Sequence, residues 1–181
     1  MPAQAGKVSE FSAPNRQLSV RYHDHKDPGE HQWFELVNTA TGRPLFTDPG
    51  DEQPNAHDVF VSWAKENSAV AVSINMMRVG STRVFRIADG IAKECVMPDL
   101  GVPETMLPNA ADVNHNNCER HECKKWLDQN TLVIQVERES HMRKGTLLTY
   151  GCNFTVHFDQ NGNGTVIKIE ANPSSEEPIR G

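Results

Sequence analysis

The chain is poor in the features that announce a function. Lysine and arginine are scattered: the strongest basic stretch, Arg138 to Lys144, is broken by Glu139, and the formal net charge is −6. Phosphate backbones need concentrated positive charge, so nucleic acid is not an expected partner. No apolar run reaches the length that crosses a bilayer, so no membrane insertion is expected. The opening stretch "MPAQAGKVSEFSAPNRQ" has no apolar h-region. The expected compartment is therefore cytoplasmic by default, or periplasmic or secreted if a signal was removed. Four cysteines in 181 residues are too few for a disulfide framework. There is no glycine-rich phosphate loop, no Gly-x-Ser-x-Gly and no His-Glu-x-x-His. Paired catalytic carboxylates are absent too, because the acids are scattered over turns. No catalytic or metal residue is assigned, and no cofactor is expected.

A long segment with helical period is also missing. What the chain has instead is a dense series of short β signals: "LSVRY", "WFELV", "VFVSW", "VAVSI", "TRVFRI", "TLVIQVE", "TLLTY", "NFTVHF" and "TVIKIE". Each is rich in β-branched or aromatic residues, and turn chemistry such as "TATGRP", "AKENS", "ADG" and "QNGNG" separates them. Many short strands at close spacing imply an all-β chain of antiparallel meanders. Residues 1–16 and 171–181 lack apolar patterning and are expected to flank, as a flexible segment and a flexible tail, a single domain over 17–170.

The β signals repeat. "WAKENSAVAV" starts at Trp63 and "WLDQNTLVIQV" at Trp126. At the offset between the two indoles, Asn67 falls on Asn130, Ser68 on Thr131 and Val70 on Val133. Val84, Phe85 and Ile87 fall on Leu147, Leu148 and Tyr150. Each unit reads as a four-stranded meander, the building block of a propeller blade. The N-terminal third supplies an incomplete unit, with one strand and a hairpin turning at Thr41–Gly42. Such units bury their apolar faces only by stacking. The segment "VFVSWAKENSAVAVSINMMRVGSTRVFRIADG" resembles a blade of the bacterial β-propeller proteins related to WD repeats, with Ala64-Lys65-Glu66-Asn67 where that family often carries Ser-Pro-Asp-Gly. The resemblance implies a partial or open propeller-like stack and no particular activity.

Three constellations carry ligand-type residues. "HNNCERHEC" holds His115, Cys118, His121 and Cys123, which suit tetrahedral zinc by identity. They crowd one short segment, whose expected state is a polar connecting loop, with a disulfide as the alternative. Cys95, Cys118, Cys123 and Cys152 allow three complete pairings, and sequence does not choose among them. "DQNGNGTVIKIE" satisfies a calcium-loop pattern from Asp159 to Glu170, yet Asn-Gly between two β runs is a hairpin signal. "YHDHKDPGE" sets His23, His25 and Glu30 in an order similar to the first metal motif of cupins. That family needs a further histidine after a Pro-x-Gly turn, which is missing here; His57 and His115 stand at the wrong spacing. Asp27-Pro28-Gly29 reads as an exposed turn. Trp63 and Trp126 are expected to be core anchors with the indole N–H satisfied at a turn. Of Trp33 and Phe34, adjacent on a strand, one is expected to face outward or into a neighbouring unit.

The expectation is a non-enzymatic binding module whose partner is another protein, held by loops at one end of the stack. The competing expectation is a cupin-like metal-binding domain or metal-dependent enzyme using His23, His25 and Glu30.

Overall fold

A computed structural model describes residues 7–24, 32–48, 56–76, 78–106 and 113–178. They form three successive antiparallel meanders, each hydrogen-bonded in chain order. Sheet one holds β1 (Lys7–Ser12), β2 (Leu18–Asp24), β3 (Trp33–Asn38) and β4 (Pro44–Thr47). Sheet two holds β5 (Ala56–Trp63), β6 (Ala69–Met76), β7 (Gly80–Ala88) and β8 (Ile91–Glu94). Sheet three holds β9 (Val113–Trp126), β10 (Thr131–Met142), β11 (Thr146–Phe158) and β12 (Gly164–Ala171), and β13 (Ser175–Pro178) pairs with the far end of β11. The all-β class and the tandem antiparallel meanders stand as expected, and the described strands form three separate sheets with no closed barrel.

Stacking follows from side-chain alternation along β6. Val70 and Val72, with Phe85 of β7, pack against Val20, Tyr22, Phe34 and Leu36 of sheet one. Ala71 and Val84 turn the other way, into a core with Leu132, Ile134, Val136, Phe154 and Val156 of sheet three. Sheet two is thus buried on both faces, which is why "AVAV" reads as an unbroken apolar run. At the rim, Arg83 joins sheets one and two. Its guanidinium lies 5.1–5.4 Å from the ring centroids of Phe34, Phe46 and Phe85 and bonds Asp48 and Glu94, each at 2.6 Å.

Two boundaries move outward. Residues 7–12 belong to the first sheet, so the first unit is complete and the flexible segment expected over 1–16 is corrected there. The strand was hidden because its two apolar residues, Val8 and Phe11, sit three apart and face opposite sides. The expected tail is corrected likewise: Ser175–Pro178 pairs with Thr146–Thr149 through its backbone, and all four residues are exposed. The first two units share one turn. Ala13 N donates to Leu18 O and Ala64 N to Ala69 O, with Arg16 at φ +58° and Asn67 at φ +57°.

The repeat offset holds at the indoles and drifts beyond them. Trp63 faces Val70 and Trp126 faces Leu132, because the third unit's turn closes one residue earlier, from Leu127 N to Thr131 O. Val70 pairs with Phe85 and Leu132 with Val156. The counterpart of Phe85 is therefore Val156, and the expected match to Leu148 is corrected. The β10–β11 hairpin is longer, with strands of 12 and 13 residues against 8 and 9 in β6 and β7. Its overhanging inner face is covered by the connector after β8, whose Met97, Leu100, Val102 and Met106 join the core.

Sheets two and three are also joined by polar contacts. The free edge of β9 presents N–H groups to sheet two at every second residue: Glu119 N donates to Arg78 O, His121 N to Asn75 Oδ1, and Cys123 N to Ser73 Oγ. Asn75 Nδ2 returns a bond to His121 O at 3.0 Å, so one buried amide satisfies both backbone groups of His121. Gly80 lies against this clamp; a Cβ there would come within 2.6 Å of His121 N and 2.4 Å of Asn75 Oδ1.

Asn75→Ala leaves a buried N–H and C=O without partners, and the expected loss is about 2–4 kcal/mol, measured by urea unfolding. A loss of under about 0.5 kcal/mol, the scale of an ordinary surface substitution, would show that the clamp is idle.

Candidate functional site

The clamp also shapes a cleft. Glu119 and His121 alternate along β9 onto one face, and Arg138 of β10 stands opposite Glu119 in register. One carboxylate oxygen of Glu119 accepts from Arg138 Nε, and the other lies 3.1 Å from His121 Nε2. On the far side of the ring, His121 Nδ1 lies 3.4 Å from Thr82 Oγ1, which lies 2.8 Å from Ser73 Oγ. The polar chain runs from Arg138 across both sheets to the backbone of Cys123. Its bonds to His121 and Arg138 hold the Glu119 carboxyl below the usual carboxylate range.

This chain floors a cleft of about 290 Å³ at the end of the stack where β6 meets β7. Gly80, Ser81 and Thr82 form one wall, and Met97 to Gly101 of the connector form the other. Asp99 stands on the exposed rim, where its Oδ1 accepts from Gly101 N at 2.9 Å, while Leu100 is buried beneath it. The connector is tied down at its start: Val96 N donates to Gly162 O and Val96 O accepts from Gly164 N. The cleft thus offers hydroxyl, imidazole, carboxylate and guanidinium groups beside apolar Met97, Pro98 and Leu100. That mixture suits recognition of a polar segment with an apolar stem. A second recess of about 110 Å³ opens behind His121, lined by Asp58, Arg120, Glu122 and Glu137 among others.

The "HNNCERHEC" segment is part of strand β9, which corrects the expected loop. The side chain of His115 lies outside the described residues. Cys118 and His121 do not converge: Cys118 Sγ points to Glu139 Oε2 at 3.2 Å, on the face away from His121. Cys123 Sγ is turned to Phe60 O at 3.2 Å. All four cysteines are buried free thiols, which corrects the disulfide alternative. Burial pushes each thiol's pKa upward, that of Cys152 to about 11. His23 stacks on Trp33 at 3.7 Å, and its Nε2 lies 3.3 Å from Glu35 Oε1. His25 and Glu30 lie outside the described residues. Among the described residues, no three His, Cys, Asp or Glu side chains are grouped to hold a metal ion.

The Asp159 turn is a hairpin. Both carboxylate oxygens accept from within the turn, from the backbone N of Asn161 and Asn163 and the side-chain Nδ2 of Asn163. Glu170 pairs with Lys168 at 2.9 Å at the opposite end of β12, about 20 Å away at the usual rise of a strand. Gly164 is needed for the connector, since a Cβ there would meet Pro98 at 2.8 Å and Val96 O at 2.9 Å. Trp126 Nε1 donates to Ser62 O at 3.0 Å, as expected for an anchor. Trp63 Nε1 is buried without a hydrogen-bond partner, which corrects the expectation for that indole. Trp33 is the outward member of its pair, and Phe34 is buried.

Glu119, Arg138, Thr82 and Asp99 were not signalled by sequence. The alternation Glu119-x-His121-x-Cys123 was visible, but its meaning depends on a partner in the next strand and on a wall contributed by the sheet before.

A carboxylate with a depressed folded-state pKa stabilises above its unfolded value and loses that contribution as pH falls. The stability difference between wild type and Glu119→Gln is therefore expected to be flat above about pH 5 and to shrink below about pH 4, read from denaturation midpoints across pH. A difference that stays constant to pH 3 would contradict the assignment. For the thiols, an aromatic disulfide reagent at neutral pH is expected to react slowly with the native protein and to titrate all four cysteines after denaturation. Rapid native labelling of any one would overturn the burial described.

No family model matches the chain, and no curated protein matches it significantly.

Proposed function

We propose that this chain is a non-enzymatic protein-interaction module, and that its recognition surface is the cleft between sheets two and three. The observation that carries the reading is the cleft itself: it lies at one end of the stack and gathers side chains from β7, β9, β10 and the connector. Loops and overhangs displayed on a rigid β scaffold are a common way of building a recognition surface. The polar chain has the order hydroxyl, imidazole, carboxylate, but Thr82 is buried in mid-strand and shares its hydroxyl with Ser73. We read it as a relay that fixes His121 and Glu119 for contact with a partner. Kinship with the WD-repeat-related propellers is part of the same proposal, and the shared turn geometry of Ala13–Leu18 and Ala64–Ala69 supports it.

Asp99 is exposed on the cleft rim, so Asp99→Trp adds bulk at the mouth of the cleft without entering the core. Affinity capture from the producing cells, run in parallel with wild type and Asp99→Trp of equal unfolding midpoint, tests the reading. The expected outcome is a small set of proteins retained by wild type and lost from the variant. Identical sets from both proteins would reject the cleft as the recognition surface.

A further inference from the structure

The outermost strand of sheet three has an unused edge. β12 pairs only with β11 among the described strands. At its start the connector occupies that edge through the two backbone bonds of Val96 to Gly162 and Gly164. From Thr165 to Ala171 no described strand covers it. An uncovered strand edge is a template for pairing. Here it carries two isoleucines in the open: Ile167 is 60% exposed and Ile169 36%. Ile167 is the extra residue of a bulge, where the register shifts between Thr155 and Val156, so the regular stretch begins at Lys168.

We propose that this edge pairs with the same edge of a second copy of the chain, antiparallel and centred on Ile169. The charge pattern selects that occupant. In an antiparallel pair centred on one residue, the residue before it faces the residue after it. Lys168 then stands opposite Glu170 of the second copy, and Glu170 opposite its Lys168. The strand is self-complementary in this register, as a two-fold interface requires. Opposed residues share a sheet face, so both ion pairs lie on the polar side and the two Ile169 side chains meet on the other. The bulge at Ile167 falls at each end of the paired stretch, where it limits further extension. So short a contact belongs to the weak, concentration-dependent class of interfaces. It lies apart from the cleft, so it stands or falls independently of the proposed recognition surface.

Sedimentation velocity on the full chain, from micromolar to about 0.5 mM, tests this with exposed charges alone. Wild type is expected to show a reversible monomer–dimer equilibrium. Lys168→Glu and Glu170→Lys each turn two symmetry-related attractions into repulsions and are expected to weaken association about tenfold. The double exchange Lys168→Glu/Glu170→Lys restores the complement and is expected to restore association. A wild type that stays monomeric throughout overturns the proposal. So does a dimer indifferent to the single exchanges, which would use another face or recruit another protein's strand, and so does a double exchange that fails to rescue.

Discussion

Stacking one sheet against the next creates a polar problem at the edge of the incoming strand. β9 has a partner on one side only, and its other row of N–H groups faces the middle sheet in a region shut off from water. The chain solves this with short polar side chains standing in for a strand. Ser73 and Asn75 alternate with apolar residues on β6 and meet Cys123 and His121. The amide of Asn75 reproduces the donor and acceptor of a backbone unit, so the two sheets approach as closely as the absence of a Cβ at Gly80 allows. The cleft, the position of His121 and the orientation of Glu119 all depend on that junction. A buried polar group costs stability unless it is paired, and here every member of the junction has a partner.

The class of fold was legible because strand signals and turn chemistry agree along most of the chain. Tandem meanders could be read because Trp63 and Trp126 each end the first strand of a unit. Where the reading drifted, the cause was local. A turn one residue shorter and a longer hairpin displaced the third-unit equivalents, and no single offset follows both. β1 and β13 are hard to read in the sequence because they are held by backbone pairing and polar contacts, such as Glu10 with the Ser19 hydroxyl and Arg21, and Glu176 with Lys144. Periodicity records buried side chains and is silent on strands that bury few. The "HNNCERHEC" segment reads as a loop because ligand-type and turn-favouring residues dominate it; three register irregularities along β9 let such a strand remain in the sheet. The cleft was illegible for a different reason. It needs Arg138 opposite Glu119 and a wall lent by the connector, and neither relation is local in sequence.

The two ends of the stack differ from its interior. The outer face of sheet one carries Glu10, Arg21, His23, Trp33 and Glu35, with Arg21 between two carboxylates and His23 against both Trp33 and Glu35. Gln135 and Glu137 stand on the outer side of sheet three and bond each other. Among the described residues, these side chains pair with one another on the two outer surfaces. Stability therefore rests on two apolar layers, one on each side of sheet two, which makes the middle meander the one that neither neighbour can do without.

The seam between Val96 and the Gly162–Gly164 turn joins a segment that leaves the second meander to the last hairpin of the third. Contacts so distant along the chain carry the entropic cost of closing the intervening loop. The wall from Met97 to Gly101 hangs from that seam. The cleft wall accordingly depends on a contact between segments far apart in the chain, and its position is set by the 159–164 turn as much as by its own residues.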